Sequence, residues 1–131
     1  MSETKILLVD DEPDLARMVS VRLKTASYQV TLATDGQQAL DQVKLTEPDL
    51  VILDLMLPKI DGYKVCRLLK FDDRYRKIPI IIFSARAQVA DIQLAKECGA
   101  DAYLTKPFDS KVLLAKLEEL LTAAKLGKTG A

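Results

Sequence analysis

Short apolar runs alternate with amphipathic stretches along the chain. The runs are rich in Ile, Val and Leu and start about 20–30 residues apart, which is typical of strand–helix–strand units rather than hairpins. Most of them are apolar without alternation, as in parallel strands that are buried on both faces. The pattern predicts five strands, over residues 5–9, 28–32, 49–53, 78–83 and 101–104.

The intervening stretches predict a helix after each strand. In the first, Leu15, Val19 and Leu23 recur at helical spacing on one face, and Pro13 stands where the first turn tolerates proline. Later boundaries are marked by residues that start or end helices: Asp35-Gly36 and Asp61-Gly62 before the second and third, Gly99 after the fourth, and Asp109 or Ser110 before the fifth.

This order predicts an α/β fold of the (βα)5 type, an open, doubly wound, five-stranded parallel sheet with helices on both faces. We expect one domain over residues 1–125, followed by a flexible tail over 126–131. In such sheets ligands bind beyond the carboxyl ends of the strands. The residues that follow each apolar run are therefore the candidates for function.

Acids, a hydroxyl and a lysine follow those runs. Asp10 and Asp11 follow the first, Asp54 the third, Ser84 the fourth and Lys106 the fifth. Taken singly, each has an ordinary explanation, such as a helix cap, a turn or a solvated side chain. Because the carboxyl ends of parallel strands meet at one edge of the sheet, we expect the five side chains to converge.

Three converging carboxylates repel one another, and a hard cation such as Mg²⁺ relieves that repulsion. We expect Asp11 and Asp54 to bind Mg²⁺ directly, Asp10 to bind through water, and a backbone carbonyl after Asp54, at Met56, to complete the set. Asp54 is the predicted nucleophile toward phosphorus, which would give an aspartyl phosphate. Lys106 would pair with the phosphoryl oxygens, and Ser84 would donate a hydrogen bond to one of them.

Composition narrows the possible chemistry. The chain has no histidine, which excludes imidazole bases and imidazole metal sites, and its two cysteines cannot form a disulfide framework. Cys66 and Cys98 are expected to be plain buried residues in a protein of the reducing cytoplasm. The 19 basic and 19 acidic residues balance, which excludes nucleic-acid binding through bulk positive charge. No apolar run is long enough to span a membrane.

Over residues 4 to about 123 the chain resembles a CheY-like receiver domain of the response regulators. The resemblance rests on Asp10-Asp11, on Asp54 with Pro58 and Asp61-Gly62, on Ser84-Ala85, and on the run from Tyr103 to Phe108. It implies the strand order 2-1-3-4-5. It also implies a signalling role rather than an enzymatic one, beyond weak self-phosphorylation and self-dephosphorylation.

The resemblance further implies partners and a switch. A sensor histidine kinase or phosphotransfer protein would donate a phosphoryl group to Asp54 with Mg²⁺. Ser84 and Tyr103 would then move together, change the face formed by the fourth helix, fifth strand and fifth helix, and signal to a target protein or effector domain. The Lys106–Pro107 bond resembles one that is cis in the family. No direct contact with nucleic acid or membrane is expected.

Other positions depart from the family or vary within it. Asp101 matches one acid of the charged set through which many DNA-binding members dimerise, but Ala102 and Val112 replace acids and Lys116 replaces an arginine. We therefore expect a monomer, or a weak phosphorylation-dependent dimer. Met56 and Arg86 flank the site where polar or acidic residues resemble those of fast-resetting members, so we expect slow self-dephosphorylation.

Several alternatives stay open. The chain is either a single-domain regulator or a receiver cut from a longer protein. A dehalogenase-type phosphatase also uses an aspartate after a strand, but it needs a second aspartate where Met56 stands. A degenerate receiver that works without phosphorylation is expected to have lost an acid or the lysine, and this chain keeps them.

Overall fold

The computed structural model describes residues 4–85 and 88–130, and in these ranges five strands alternate with five helices. The strands are β1 (Lys5–Val9), β2 (Gln29–Ala33), β3 (Leu50–Asp54), β4 (Ile80–Ser84) and β5 (Ala102–Thr105). The helices are α1 (Pro13–Thr25), α2 (Gly36–Thr46), α3 (Gly62–Lys70), α4 (Val89–Glu97) and α5 (Ser110–Gly130).

All strands are parallel and lie in the order β2-β1-β3-β4-β5, which confirms the predicted fold class. Alternate residues of the central strands point to opposite faces. In β1, Leu7 and Val9 join the core under α2, α3 and α4, while Ile6 and Leu8 join the core under α1 and α5. Burial on both faces is the reason that these strands are apolar without alternation.

Four strands begin one or two residues later than the apolar runs predicted. The first one or two residues of these four predicted runs lie just before the strand itself begins. Asp49, for example, accepts a hydrogen bond from the Lys5 amide with its side chain (2.8 Å), and β3 begins at Leu50. β3 and β4 also extend one residue further than predicted, so Asp54 and Ser84 are their last residues and not the first residues beyond them.

The predicted helix boundaries hold. Pro13 opens α1, and the Asp35 and Asp61 carboxylates cap α2 and α3 by accepting amide hydrogen bonds from Gln38 and Lys64. Gly99, with φ of 93°, follows α4 in the left-handed conformation that favours glycine. Gly62 lets α3 begin directly against β3, because a Cβ there would clash with the Asp54 carbonyl oxygen.

Cys66 and Cys98 are buried free thiols, as predicted. Among the described residues, the helices are too short or too polar to cross a bilayer. Helix α5 continues to Gly130. The domain limit near residue 125 and the flexibility of residues 126–131 stay predictions.

Candidate active site

The parallel register brings the predicted residues to one edge of the sheet. Asp54 is paired with Phe83 across β3 and β4, and Ser84 with Thr105 across β4 and β5. Asp10 follows β1 directly, and its amide donates to the Ala33 carbonyl at the end of β2 (3.0 Å). Asp10, Asp54 and Ser84 are each at most 2% exposed, so three polar side chains are buried at this edge.

Both oxygens of the Asp54 carboxylate have partners. Oδ1 accepts a hydrogen bond from the Met56 amide (3.1 Å), and Oδ2 accepts one from Lys106 Nζ (3.2 Å). The first contact fixes the loop that follows β3, and the second places a positive charge beside Oδ2.

The backbone directs Lys106 into the site. Its amide donates to the Ser84 carbonyl (2.8 Å), and the Lys106–Pro107 bond is cis, as the resemblance implies. The ammonium lies 4.6 Å from the centroid of the Phe83 ring, which Phe108 contacts edge-on at 5.7 Å. Burial lowers the pKa of this lysine, but the carboxylates of Asp54 and Asp10 outweigh it and raise the pKa overall. Lys106 is therefore a cation at neutral pH.

The buried Asp10 carboxylate has a hydrogen-bond donor for only one of its two oxygens among the described residues. Oδ1 accepts a hydrogen bond from the Glu12 amide (2.9 Å), but Oδ2 has no hydrogen-bond partner among the described residues and lies 3.6 Å from Lys106 Nζ. Burial raises the pKa of Asp10 to about 6, although the Glu12 amide and Lys106 oppose the shift. A buried carboxylate oxygen without a donor is a position that a cation would stabilise.

Carboxylate oxygens of Asp10, Glu12 and Asp54 lie within 4.8 Å of one another. This oxygen set, with the unpartnered Asp10 Oδ2, fits a hard divalent cation. Two of the three residues were predicted as ligands. The exposed Asp11 is not in the group, and its role as a direct ligand stays a prediction, as does the role of the Met56 carbonyl.

Glu12 is the residue that sequence reasoning missed. Its carboxylate accepts a hydrogen bond from Lys106 Nζ at 3.2 Å, across 94 positions of sequence. The acidic run Asp10-Asp11-Glu12 was visible, but it carries no signal for which acids turn inward.

The remaining candidates lie where expected, and their roles stay predictions. Ser84 is buried at the end of β4, and Tyr103 in β5 is half-buried against the core under α2, α3 and α4. Met56 is 56% exposed. Arg86 lies outside the described residues.

The comparisons identify the family. A model of the response regulator receiver domain matches residues 6–118, and this chain belongs to that family. Over 117 residues the chain is 43% identical to the DNA-binding dual master transcriptional regulator RpaA of Synechocystis, covering 89% of this chain and 48% of RpaA. The chain spans about half the length of the curated relatives it matches.

Solved structures agree. A response regulator of Chloroflexus aurantiacus has a TM-score of 0.89 and 32% identity, over 92% of this chain and 99% of that one. The receiver domain of a sensor histidine kinase from Pseudomonas aeruginosa, with a magnesium ion in its active-site cleft, has a TM-score of 0.85 and 31% identity. That alignment covers 92% of this chain and 99% of the other. The family is one of signalling domains.

One prediction is wrong. The sequence excluded nucleic acid as a direct partner, whereas RpaA is a DNA-binding regulator. The exclusion rested on the zero net charge of these 131 residues. Since the match covers about half of each such relative, the charge of this half does not constrain a DNA contact made elsewhere in such a protein.

Proposed function

We propose that this domain accepts a phosphoryl group on Asp54 from a histidine kinase or phosphotransfer protein. The observation that carries the proposal is the environment of that carboxylate. It is buried at a strand end, it faces the Lys106 ammonium at 3.2 Å, and within residues 4–85 and 88–130 one oxygen of the neighbouring Asp10 has no donor.

The transfer is a substitution at phosphorus. A carboxylate oxygen of Asp54 forms the new bond to phosphorus, the nitrogen–phosphorus bond of the donor's phosphohistidine breaks, and the imidazole leaves with the electron pair and takes up a proton. Lys106 is within reach to stabilise the negative oxygens of the transferred group. Ser84 would donate a hydrogen bond to one of them.

Mg²⁺ is the proposed cofactor. Asp10, Asp11 and Asp54 would hold it together with the Met56 carbonyl, while Glu12, the third acid of the oxygen cluster, keeps its hydrogen bond to Lys106. A bound Mg²⁺ would neutralise part of the charge that develops on the phosphoryl oxygens.

We further propose that the output face comprises α4, β5 and α5. Val89, Leu94 and Val112 expose apolar side chains on α4 and α5, and Tyr103 links β5 to the core beneath α4. The similarity to RpaA supports an output that reaches DNA through a DNA-binding effector domain. Phosphorylation of Asp54 would then control that effector.

Labelling with acetyl phosphate and Mg²⁺ tests the proposal. The wild type should gain one phosphoryl group, and Asp54→Asn should gain none while keeping its circular dichroism spectrum. Asp73→Asn, an exposed acid on the loop after α3, is the matched control and should label like the wild type. Undiminished labelling of Asp54→Asn would contradict the assignment.

Two further assays on the same protein distinguish a phosphorylated receiver from a degenerate receiver and from a dehalogenase-type phosphatase. A degenerate receiver would bind neither a phosphoryl group nor beryllofluoride in the presence of Mg²⁺. A dehalogenase-type phosphatase would release phosphate repeatedly from a phosphate monoester, whereas a receiver would show no such turnover.

A further inference from the structure

We infer that Glu12 tunes which phosphoryl donors load the site: its carboxylate holds Lys106 and adds negative charge at the entrance, which slows loading by small anionic donors. The inference rests on the proposed role of Asp54. It assigns Glu12 as a specificity-determining residue rather than a helix cap.

The side chain of Glu12 contacts Lys106 in the site and does not cap helix α1. Glu12 precedes Pro13 at the N-terminus of α1, where an acid would ordinarily accept a hydrogen bond from the helix amides. Its side chain makes no such capping bond. Instead, Oε1 lies 3.2 Å from Lys106 Nζ, the same distance as Asp54 Oδ2 from that nitrogen. Two carboxylates thus accept hydrogen bonds from one ammonium.

Glu12 differs from the other acids in exposure. Its side chain is 63% exposed, while those of Asp10 and Asp54 are at most 3% exposed. Glu12 therefore lies at the solvent-exposed rim of the cluster, where its charge faces a donor that approaches from solution. Without a cation, the three ionised carboxylates and one ammonium give this cluster two net negative charges. A bound divalent cation offsets them, and Glu12 then contributes the negative charge that lies nearest to solvent.

Both consequences act in the same direction. An incoming phosphoanion is repelled by the Glu12 charge, and Lys106 must weaken its bond to Glu12 before it can serve the phosphoryl oxygens. The penalty grows with the charge of the donor, because Coulomb repulsion scales with it. Acetyl phosphate is a dianion at neutral pH, whereas phosphoramidate carries one negative charge fewer.

The test measures phosphorylation rates of Glu12→Gln with both donors at Mg²⁺ concentrations that saturate each variant. Glutamine keeps the size of the side chain and an acceptor oxygen for Lys106 but removes the charge. The rate with acetyl phosphate should rise about threefold to tenfold, as expected for removing one partly screened charge. The rise with phosphoramidate should be smaller. Asp14→Asn, an exposed acid in the first turn of α1, is the matched control and should change neither rate.

Two further readouts separate a charge effect from a structural one. Glu12→Gln should bind beryllofluoride more tightly than the wild type. Raising the ionic strength should narrow the difference in acetyl phosphate rate, since salt screens an exposed charge.

The inference fails if Glu12→Gln is no faster than the wild type, if both donors gain equally, or if Asp14→Asn is accelerated as much. These failures are distinct from failure of the proposed function. If Asp54 is not the acceptor, the wild type itself takes no label on that residue, whatever stands at position 12.

Discussion

Two largely buried lysines lie at opposite ends of the sheet, and their surroundings differ. At the carboxyl end, Lys106 faces Asp10, Glu12 and Asp54, and one Asp10 oxygen has no hydrogen-bond donor in the part of the chain that the structure describes. At the amino end, Lys70 pairs with Asp101 at 2.7 Å and donates to the Arg76 and Ile78 carbonyls. The same Asp101 oxygen accepts the Ile80 amide at 2.8 Å.

The amino-end network is satisfied, and its partners belong to α3, the loop before β4 and the loop before β5. It joins these segments through hydrogen bonds and an ion pair within the chain. The carboxyl-end cluster has more negative than positive groups, and a bound cation would offset that excess. The comparison indicates that charge left uncompensated, and not burial of charge alone, distinguishes the functional end of this fold.

The amino-end network also bears on association. Asp101 is engaged with Lys70, and Lys116 pairs with Glu119 at 3.0 Å. Both charged residues that match the family's dimerisation set therefore have partners within the chain.

Replacing Lys70 or Lys106 by methionine should give the largest change in the free energy of unfolding. Lys70→Met leaves the Asp101 charge and two carbonyls without their donor, so the free energy of unfolding should fall by about 3 kcal/mol. Saturating Mg²⁺ should restore stability to Lys106→Met but not to Lys70→Met, because the proposed cation site lies at the carboxyl end. Urea denaturation with and without Mg²⁺ measures this, and equal recovery of both variants would remove the contrast.

Neutralising one aspartate at each end should change stability in opposite directions. Asp101→Asn should destabilise by about 1–2 kcal/mol, because Lys70 loses a charged acceptor. Asp10→Asn should stabilise the metal-free protein at pH 7, because ionised Asp10 is buried and one of its oxygens accepts no hydrogen bond from the described residues.

The pH dependence of that gain follows from the raised pKa of Asp10. Between its ordinary value of 3.8 and about 6, the folded state binds more protons than the unfolded state. Protonated Asp10 therefore contributes its full share to the free energy of unfolding below about pH 4, and this contribution is lost as the pH rises through 6. The advantage of Asp10→Asn should grow across that window to at most about 3 kcal/mol, at about 1.4 kcal/mol per pKa unit. An advantage that is independent of pH would show that the raised pKa is not its cause.

The hydrophobic pattern was sufficient for the α/β class because the sheet is buried on both faces, whereas the strand order came from the family resemblance. Continuous apolar runs with helical stretches between them leave few other arrangements, and glycines and caps mark the helix ends. Strand limits were less predictable. Asp49, which was predicted to begin the third strand, instead accepts a hydrogen bond with its side chain from the Lys5 amide, 44 residues away, and such a long-range partner is not visible in a local pattern.

The site was predicted from position rather than from contacts. Asp54, Ser84 and Lys106 could be placed because each follows or ends an apolar run. Glu12 could not, because its role depends on a hydrogen bond to Lys106 that spans most of the chain. The partner of Lys70 was also unpredictable, since a lysine on a helix and an acid before a strand look like solvated surface.

Mg²⁺ affinity should respond only at the carboxyl end. We expect Asp11→Asn to weaken binding at least as much as Asp10→Asn, by about tenfold or about 1.4 kcal/mol, since the exposed Asp11 side chain is free to turn toward a cation. Asp101→Asn is the control and should leave affinity unchanged. Titration by calorimetry gives the order, and a clearly larger loss in Asp10→Asn would favour ligation by Asp10, Glu12 and Asp54 without Asp11.

The smallest effect concerns the response to a phosphoryl mimic. Ser84 is the last residue of β4, beside the site, and Tyr103 of β5 is paired with Ile82 of β4. A hydrogen bond from Ser84 to the mimic would therefore shift the end of β4 relative to β5. In NMR spectra with Mg²⁺ and beryllofluoride, Ser84→Ala should still bind the mimic but show smaller shifts at Tyr103 than the wild type. The Ile80 amide, which Asp101 holds at the amino end, should shift little in either protein. Equal shifts at Tyr103 would assign the switch to a group other than the Ser84 hydroxyl, and a large shift at Ile80 would mean that the two ends of the sheet are coupled.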